Sequence, residues 1–365
     1  MRKYKVCVYA ICKNEEKFIE RWVKSMSEAD NIYVLDTGST DNSVQKLRDL
    51  GVLIKSKKIE PWRFDTARNE SLRMVPSDTD ICVCTDLDEV LESGWREKLE
   101  QLWDQNITRL RYNYNWSFDE YNKPAVNFYT DKIHQRKNYK WTHPVHEVLT
   151  FLGDKENIIT IDNIVLNHYS DKSKSRGSYL PLLELSVKED PNDDRNMHYL
   201  GREYMYYGKW NECIDTLIKH LNLKSSTWKD ERCASMRFIA RSYKKLGRVE
   251  ESRMWYDKAI NEAPYLRDSY VERGILEYEL DNYKEASKYL NDALNINSHE
   301  KTYINEIFSW DNTIYDMLSI CMFYLNRIDE SLFYIDKAID MEPNNERLIN
   351  NKKIIKRYKE NNNSI

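Results

Sequence analysis

The amino-acid sequence predicts an α/β domain with a mainly parallel sheet, followed by an all-α domain built from helical repeats. Its 365 residues exceed what one hydrophobic core comfortably serves, so two domains are expected. Up to about residue 170, short β-rich runs alternate with stretches in which apolar residues recur at helical spacing. From about residue 190 the strand signals stop and a repeated motif begins. We therefore expect the first domain over residues 1–185 and the second over residues 190–360.

Four β-rich runs define the first domain. They cover residues 5–12, 31–35, 52–55 and 80–85. The intervening residues 15–28 and 43–50 carry apolar side chains on one helical face. This alternation favours parallel strands joined by right-handed crossovers. Such sheets bind ligands beyond the carboxyl ends of their strands, so we expect the functional residues where the strands end.

A six-residue motif recurs in the second domain. It begins at Gly208, Gly247, Asp281 and Asn326, and it ends on a small residue at positions 213, 252, 286 and 331. With intervals of 39, 34 and 45 residues, the motifs resemble the tetratricopeptide repeat over roughly residues 195–345. Extra residues around 298–310 predict an insertion, in a loop or a lengthened helix. The repeats serve either as a scaffold that stabilises or dimerises the chain or as a groove for a peptide or second subunit.

Composition excludes several classes of protein. The balance of 56 basic and 60 acidic side chains lacks the basic surplus of nucleic-acid binders. We expect no membrane span, because no apolar run approaches about 18 residues. Seven cysteines without framework spacing are typical of reduced thiols, so we expect a cytoplasmic protein.

Polar residues follow the first three predicted strands or open the next helix. The end of the first strand suits contact with a nucleobase or ribose, through Ala10, Cys12, Asn14 and Glu15. Asp36 ends the second strand and could accept hydrogen bonds from a base or sugar hydroxyl, with Ser39 close by; the alternative is a plain capped turn. Arg68 could reach a nucleotide or phosphate, because guanidinium groups suit phosphate oxygens.

The fourth strand ends in an acidic cluster formed by Asp86, Leu87, Asp88 and Glu89. Three carboxylates within four residues repel one another unless a cation is present. Carboxylate oxygens suit hard divalent ions such as magnesium and manganese. Such an ion can stabilise the negative charge on a departing nucleoside diphosphate. The alternative interpretation is a solvated acidic turn.

In order and spacing, these four motifs resemble the family 2 glycosyltransferases of the GT-A fold, a Rossmann-like nucleotide-sugar-binding domain. With the repeats added, the chain is similar to the subgroup that joins this domain to tetratricopeptide repeats. That subgroup includes bacteriocin S-glycosyltransferases of the SunS type and lipopolysaccharide-core glucosyltransferases. The resemblance implies that Asp36 holds the uridine or ribose, that Arg68 lies near the nucleotide and that Asp86 faces the sugar nucleotide. Asp88 would ligate the metal, and Glu89 would contact the sugar or act as a second ligand.

The segment 133–147 resembles the part of these enzymes that crosses the active site. A single-displacement transferase needs one base for the proton of the acceptor, and we assign Glu147, with His146 as second choice. By the same resemblance, Arg136 and Trp141 hold the diphosphate and the sugar. His168 ends a later apolar strand and would complete a manganese or magnesium site with Asp88.

We therefore expect an inverting transfer of a hexose or N-acetylhexosamine from a UDP-sugar. The repeats favour a peptide or protein acceptor whose Cys, Ser or Thr is the nucleophile. A saccharide or lipid-linked glycan is the enzymatic alternative. The alternative from another class is a non-catalytic repeat scaffold, and a homodimer is compatible with either function.

Overall fold

The computed structural model describes residues 2–119, 122–171, 177, 179–299 and 302–362. The chain divides into two compact units. The first comprises Met1–Glu189 with residues 301–303, and the second comprises Asp190–Glu300 and Ile304–Ile365. Within the described ranges, every helix is too short or too polar to cross a membrane. All seven cysteines are buried free thiols.

The first unit is organised around an eight-stranded mixed sheet, beside which lies a two-stranded hairpin. The strands are β1 (Val6–Cys12), β2 (Asn31–Asp36), β3 (Leu53–Ser56), β4 (Ile81–Cys84), β5 (Glu89–Leu91), β6 (Arg109–Phe118), β7 (Pro124–Gln135), β8 (Tyr139–Thr142), β9 (Val148–Phe151) and β10 (Ile158–His168). The sheet order is β3-β2-β1-β4-β7-β6-β10-β5, and β8 pairs with β9. Strands β1 to β4 are mutually parallel, whereas β7 and β5 run antiparallel to their neighbours. The predicted α/β domain is confirmed, and its sheet is parallel over β1 to β4 and mixed beyond them.

Both faces of β1, a central strand of the sheet, are buried. Val6, Val8 and Ala10 point into one hydrophobic cluster, and Cys7 and Tyr9 point into another on the opposite face. This alternation follows from the two-residue period of a strand. The first cluster includes side chains of the helices at Ile19–Met26 and Trp95–Leu102, and the second includes side chains of the helix at Phe64–Met74 and of the β8–β9 hairpin. The helices of this unit are α1 (Ile19–Met26), α2 (Ser43–Asp49), α3 (Phe64–Met74), α4 (Trp95–Leu102) and α5 (Tyr179–Glu189).

The second unit consists of antiparallel helix pairs, which confirms the predicted repeats. Its helices are α6 (Asp194–Tyr206), α7 (Trp210–Asn222), α8 (Lys229–Lys245), α9 (Val249–Glu262), α10 (Arg267–Glu279), α11 (Tyr283–Leu294), α12 (Thr313–Tyr324), α13 (Ile328–Met341) and α14 (Glu346–Asn362). The first residue of each repeated motif has a positive φ of 56–73° in the turn within a pair: Gly208, Gly247, Asp281 and Asn326. The small residue that ends each motif is fully buried, so a larger side chain would not fit between the paired helices: Cys213, Ser252, Ala286 and Ser331. The insertion forms a loop with a short 3₁₀ turn at Ile307–Ser309.

Candidate active site

The carboxyl ends of β1, β2 and β4 lie side by side at one edge of the sheet. Cys12 at the end of β1 is in register with Asp36 at the end of β2, and Tyr9 is in register with Cys84 of β4. The acidic turn begins two residues after Cys84. The fold therefore brings the first, second and fourth motifs to the same edge, where parallel sheets bind ligands.

The carboxylate of Asp36 holds the turn that follows β2. Asp36 is 3% exposed and accepts backbone N–H bonds from Gly38 and Ser39, at 3.3 and 3.0 Å. The Ser39 hydroxyl accepts the N–H of Asn14, which joins this turn to the end of β1. A polar pocket of about 410 Å³ opens here, lined by Asn14, Glu16, Lys17, Asp41, Lys46 and Asp171.

Glu89 organises the acidic turn from beneath. This carboxylate is 1% exposed, and its Oε2 accepts the backbone N–H of Asp86 at 2.8 Å. Its Oε1 accepts the hydroxyl of Tyr114 at 2.8 Å and the ammonium of Lys132 at 3.1 Å. Glu89 thus accepts three hydrogen bonds that hold the acidic turn in place, and both of its oxygens face away from solvent.

Arg68 is the centre of the charge network. Its guanidinium donates from Nη2 to Asp86 at 2.7 Å and from Nε to Glu147 at 2.6 Å. Its Nη1 lies 3.4 Å from the sulfur of Cys84. The guanidinium carbon lies over the Trp141 ring, 5.3 Å from the ring centroid. Because α3 packs on the β8–β9 hairpin, one buried arginine joins the third motif to the fourth and to the segment that ends at Glu147.

Two neighbouring cations keep Asp86 ionised. Burial alone would raise the pKa of Asp86, but the charges of Arg68 and Lys132 outweigh it and hold the pKa well below its ordinary value. Burial alone would also lower the pKa of Lys132, yet Glu89 and Asp86 raise it. Asp86 and Glu89 are therefore already compensated by protein cations, which leaves Asp88 as the acid of this turn that faces a different partner.

That partner is His168, at the end of β10. Its Nε2 lies 3.5 Å from Asp88 Oδ2, and its Nδ1 lies 2.9 Å from the carbonyl oxygen of Trp116. A carbonyl can only accept, so Nδ1 carries a proton and Nε2 is the atom that faces Asp88. Burial lowers the pKa of His168, but the hydrogen bond and charge of Asp88 outweigh it, so the pKa is raised overall.

A buried hydrogen-bond chain supports Arg68 from below. The Trp141 indole donates to the Tyr9 hydroxyl at 2.8 Å, and that hydroxyl lies 2.9 Å from Nε2 of His134. Nδ1 of His134 in turn faces the carbonyl of Gln135 at 2.6 Å, which fixes the direction of each proton. The Asn69 amide pairs with both backbone polar groups of Trp141, at 2.8 and 3.0 Å.

The structure does not bring Arg136 to the acidic turn. Its Nε donates to the carbonyl of Val75 at 3.1 Å, just beyond Gln135, which is in register with Ile81 at the start of β4. Because β7 runs antiparallel to β4, this position is at the opposite edge of the sheet from Asp86. The structure therefore places Arg136 apart from the residues at the acidic turn, and its contact with the diphosphate stays a prediction.

Other expected contact residues have buried side chains. The indole of Trp141 is 3% exposed and lies beneath Arg68, so it supports the site instead of presenting a face to a sugar. Ala10, Cys12 and Leu87 are 0–2% exposed and point into the hydrophobic cores. Only the backbone of these residues can meet a ligand.

The two candidate bases occupy different surroundings. Glu147 is ion-paired through one oxygen with Arg68, and its side chain is 11% exposed. His146 adopts a left-handed φ of 50°, and its ring packs edge-on against Tyr179 at 5.8 Å. Glu147 is therefore joined directly to the network that includes Asp86, whereas the ring of His146 packs against Tyr179 of α5.

Two residues of this site, Lys132 and Tyr114, were not foreseen from the sequence. Both lie in the middle of long strands, β7 and β6, where no motif surrounds them. Each points inward only because the register of these strands places it beneath the turn at Asp86. Register between distant strands leaves no local signal in the sequence.

Comparison with known proteins finds a matching family in each unit. Residues 7–153 match the family described as Glycosyl transferase family 2, and residues 238–265 and 268–300 match the tetratricopeptide repeat. The lipopolysaccharide core biosynthesis glycosyltransferase LpsC of Rhizobium meliloti (strain 1021) is 31% identical over 103 residues. This match spans 27% of the present chain and 37% of the length of that relative.

Solved tetratricopeptide-repeat proteins also align with this chain. MamA is 17% identical with a TM-score of 0.39, covering 49% of this chain and 99% of its own. YrrB, described as a tetratricopeptide-repeat protein with an unusual peptide-binding site, is 17% identical with a TM-score of 0.40. That alignment covers 49% of this chain and 84% of YrrB. The present chain therefore joins a segment that matches the family 2 glycosyltransferases to segments that match the tetratricopeptide repeat.

Proposed function

We propose that the protein transfers a hexose or N-acetylhexosamine from a UDP-sugar to a Cys, Ser or Thr side chain of a peptide or protein, with inversion. The observation that carries this proposal is the convergence of Asp88 and His168 beside the Arg68–Asp86–Glu147 network. These residues lie at the sheet edge where a nucleotide binds in α/β folds.

Asp88 and His168 fit a divalent cation. Their facing atoms are 3.5 Å apart, which two ligands can adopt when each lies about 2.1 Å from one ion. The Trp116 carbonyl holds Nδ1 of His168, as carbonyls commonly do for ligating histidines, and so aims Nε2 at the site. One imidazole nitrogen and carboxylate oxygens suit manganese or magnesium. Such a cation, when bound, would supply positive charge next to the departing diphosphate.

Glu147 takes the proton of the acceptor in this proposal. Arg68 holds its Oε1, which leaves Oε2 to accept the proton from the hydroxyl or thiol. The acceptor oxygen or sulfur forms a bond to the anomeric carbon while the bond from that carbon to the diphosphate oxygen breaks. Attack comes from the face opposite the diphosphate, so the anomeric configuration inverts. Fixing Glu147 in this way supplies the orientation on which a single displacement depends.

The donor nucleoside is assigned to the turn after β2. Asp36 keeps acceptor capacity beyond the two N–H bonds of its own turn, because a carboxylate offers about four lone-pair positions. Asn14, Glu15 and Ser39 surround this turn, beside the polar pocket of about 410 Å³. A base or ribose hydroxyl can therefore be recognised there by hydrogen bonds.

The test is a screen of nucleotide sugars for hydrolysis, with and without manganese. We expect one UDP-sugar to be hydrolysed only when the cation is present, and Asp88→Asn to abolish that activity. Asp49→Asn, an exposed carboxylate at the end of α2, is the matched control and should behave like the natural chain. Cation-independent hydrolysis, or equal rates for Asp88→Asn, would contradict the proposal.

A saccharide acceptor is the second candidate, and the relative LpsC favours it because that protein is a glycosyltransferase of lipopolysaccharide core biosynthesis. The repeats favour the peptide acceptor. Mass spectrometry after incubation with the active UDP-sugar separates the two, using a Cys-, Ser- and Thr-containing peptide library in one arm and core oligosaccharides in the other. A mass increase of one sugar in only one arm identifies the acceptor class.

A further inference from the structure

A second group of metal-ligating side chains lies within the helical repeats. Asp194 begins α6, His220 lies in the last turn of α7, and Glu231 lies in the first turn of α8. One ligand atom from each residue lies within 4.8 Å of the other two. His220 is fully buried and Glu231 is 4% exposed, whereas Asp194 is half-buried at the rim. Three helices thus meet at three potential ligands.

The ring of His220 is held in place through Nδ1, the nitrogen that faces away from Glu231. Its Nδ1 lies 3.0 Å from the Ser235 hydroxyl, which in turn lies 2.7 Å from Nδ1 of His198. With Nδ1 of His198 accepting the proton of the Ser235 hydroxyl, the Ser235 oxygen can accept from Nδ1–H of His220. This arrangement presents Nε2 of His220 toward Glu231, whose Oε1 is 3.4 Å away.

An imidazole held through Nδ1, with Nε2 aimed at carboxylates, is the arrangement of a ligating histidine. Two carboxylates and one neutral imidazole also match the charge of a divalent cation. Zinc suits one nitrogen and two oxygen ligands and accepts a water in its fourth position. Zinc also binds such sites more tightly than manganese.

We propose that Asp194, His220 and Glu231 form a zinc site that ties α6, α7 and α8 together at the first repeat. The site is made of residues outside the family 2 domain, and it does not depend on the proposed transferase activity. Its ligands come from consecutive helices, so the ion would join the amino terminus of α6 to the end of α7 and the start of α8. The site is therefore structural and leaves the sugar chemistry to the first unit.

In the competing arrangement, a proton on Nε2 of His220 takes the place of the zinc ion. With a proton on Nε2, His220 would form a simple ion pair with Glu231, and Asp194 would only stabilise the amino terminus of α6. The two arrangements differ in one measurable respect, because only the first takes up zinc. The hydroxyl of Ser226, 3.1 Å from Nε2, would have to give way when the ion binds.

The test is a zinc titration of the full-length chain by calorimetry, with cobalt absorption as a second readout. The titration is made in an Asp88→Asn, His168→Gln background, so that the candidate active site contributes no ion. We expect one equivalent of zinc to bind, and Asp194→Asn and Glu231→Gln each to weaken binding at least about 10-fold. Asp340→Asn removes an exposed carboxylate of α13 and should leave binding unchanged.

Cobalt adds information on the ligands themselves. Visible absorption of bound cobalt should appear in the background chain and disappear in Glu231→Gln. Circular dichroism of the metal-free variants checks that they fold, and Asp194→Asn, at a half-buried position, keeps the test valid if Glu231→Gln does not. A background chain that takes up no zinc, or an Asp194→Asn variant that binds zinc as tightly, would overturn the site in favour of the ion pair.

Discussion

Arg68 and Glu147 are 79 residues apart in the chain, yet the guanidinium Nε donates to the carboxylate at 2.6 Å. The same guanidinium binds Asp86 through Nη2. One buried cation therefore sets the distance between the proposed base and the acidic turn after β4. The position of Glu147 depends on a helix, a hairpin and a strand end meeting at a single side chain.

Arg68→Lys should lower the transfer rate strongly while the protein stays folded. Lysine is a point charge and cannot bind Asp86 and Glu147 through a fork or stack on Trp141 in the same way. Misplacement of a catalytic group by about 1 Å costs on the order of 10²-fold in rate, so we expect a fall of that size in kcat. Arg73→Lys, on the exposed side of the same helix, is the control for steady-state kinetics. Equal kcat values for both variants would remove Arg68 from the site.

Glu147→Gln should abolish transfer while nucleotide binding persists. The glutamine oxygen can still accept from Arg68, but the amide cannot take a proton from the acceptor. Loss of a general base typically lowers the rate by about 10²–10⁴-fold. Single-turnover transfer and calorimetric titration with UDP measure the two properties separately. If His146→Gln is the inactive variant and Glu147→Gln retains activity, the base is His146.

Protonation of His134 should make the chain less stable as the pH falls from 7 to 5. Burial lowers the pKa of His134 from its ordinary 6.5 to about 3. The unfolded chain therefore binds the proton more readily, so stability is complete above pH 6.5 and is lost as the pH falls toward 3. At pH 5 the loss is about 2 kcal/mol, from about 1.4 kcal/mol per pH unit.

The check is the pH dependence of urea unfolding in the natural chain and in His134→Gln. The variant loses the Tyr9 contact and is less stable at pH 7, but the change between pH 7 and pH 5 should be smaller. Identical pH dependence in the two chains would show that His134 is not buried in its neutral form.

Gly201→Ala should destabilise the first repeat. A Cβ atom at this position would lie 2.3 Å from Cδ2 and 2.4 Å from Cγ of Leu217, which is itself fully buried. Overpacking of this kind costs about 1–3 kcal/mol, more than the helix propensity that alanine adds. Gly247→Asn is the control, because its turn has φ +73° with open space around it and asparagine tolerates that conformation. Urea unfolding followed by circular dichroism should show the larger loss in Gly201→Ala.

The sequence allows the strands before residue 85 and the repeats to be predicted because their signals are local. Acidic residues at or just after a strand end, such as Asp36 and Asp86, stand next to apolar runs. The motif that begins at Gly247 recurs at intervals close to the length of one repeat. Both features belong to contiguous residues, so a single sequence records them.

The remaining features depend on strand register or on burial. Lys132 reaches Asp86 only because β7 inserts antiparallel beside β4, and Arg136 lies at the opposite edge of the sheet for the same reason. Trp141 follows a polar segment and was predicted to contact the sugar, but it is buried beneath Arg68. A sequence shows that an aromatic residue is near a polar motif and does not show which side of the motif it packs on.

We propose that Asp88 and His168 hold the divalent cation on which departure of the nucleoside diphosphate depends. Anomalous scattering from crystals grown with UDP and manganese locates that ion directly. The predicted result is a manganese peak within bonding distance of both Asp88 Oδ2 and His168 Nε2, with the diphosphate beside it. A manganese peak and a diphosphate that both lie away from residues 86–88 would contradict the claim.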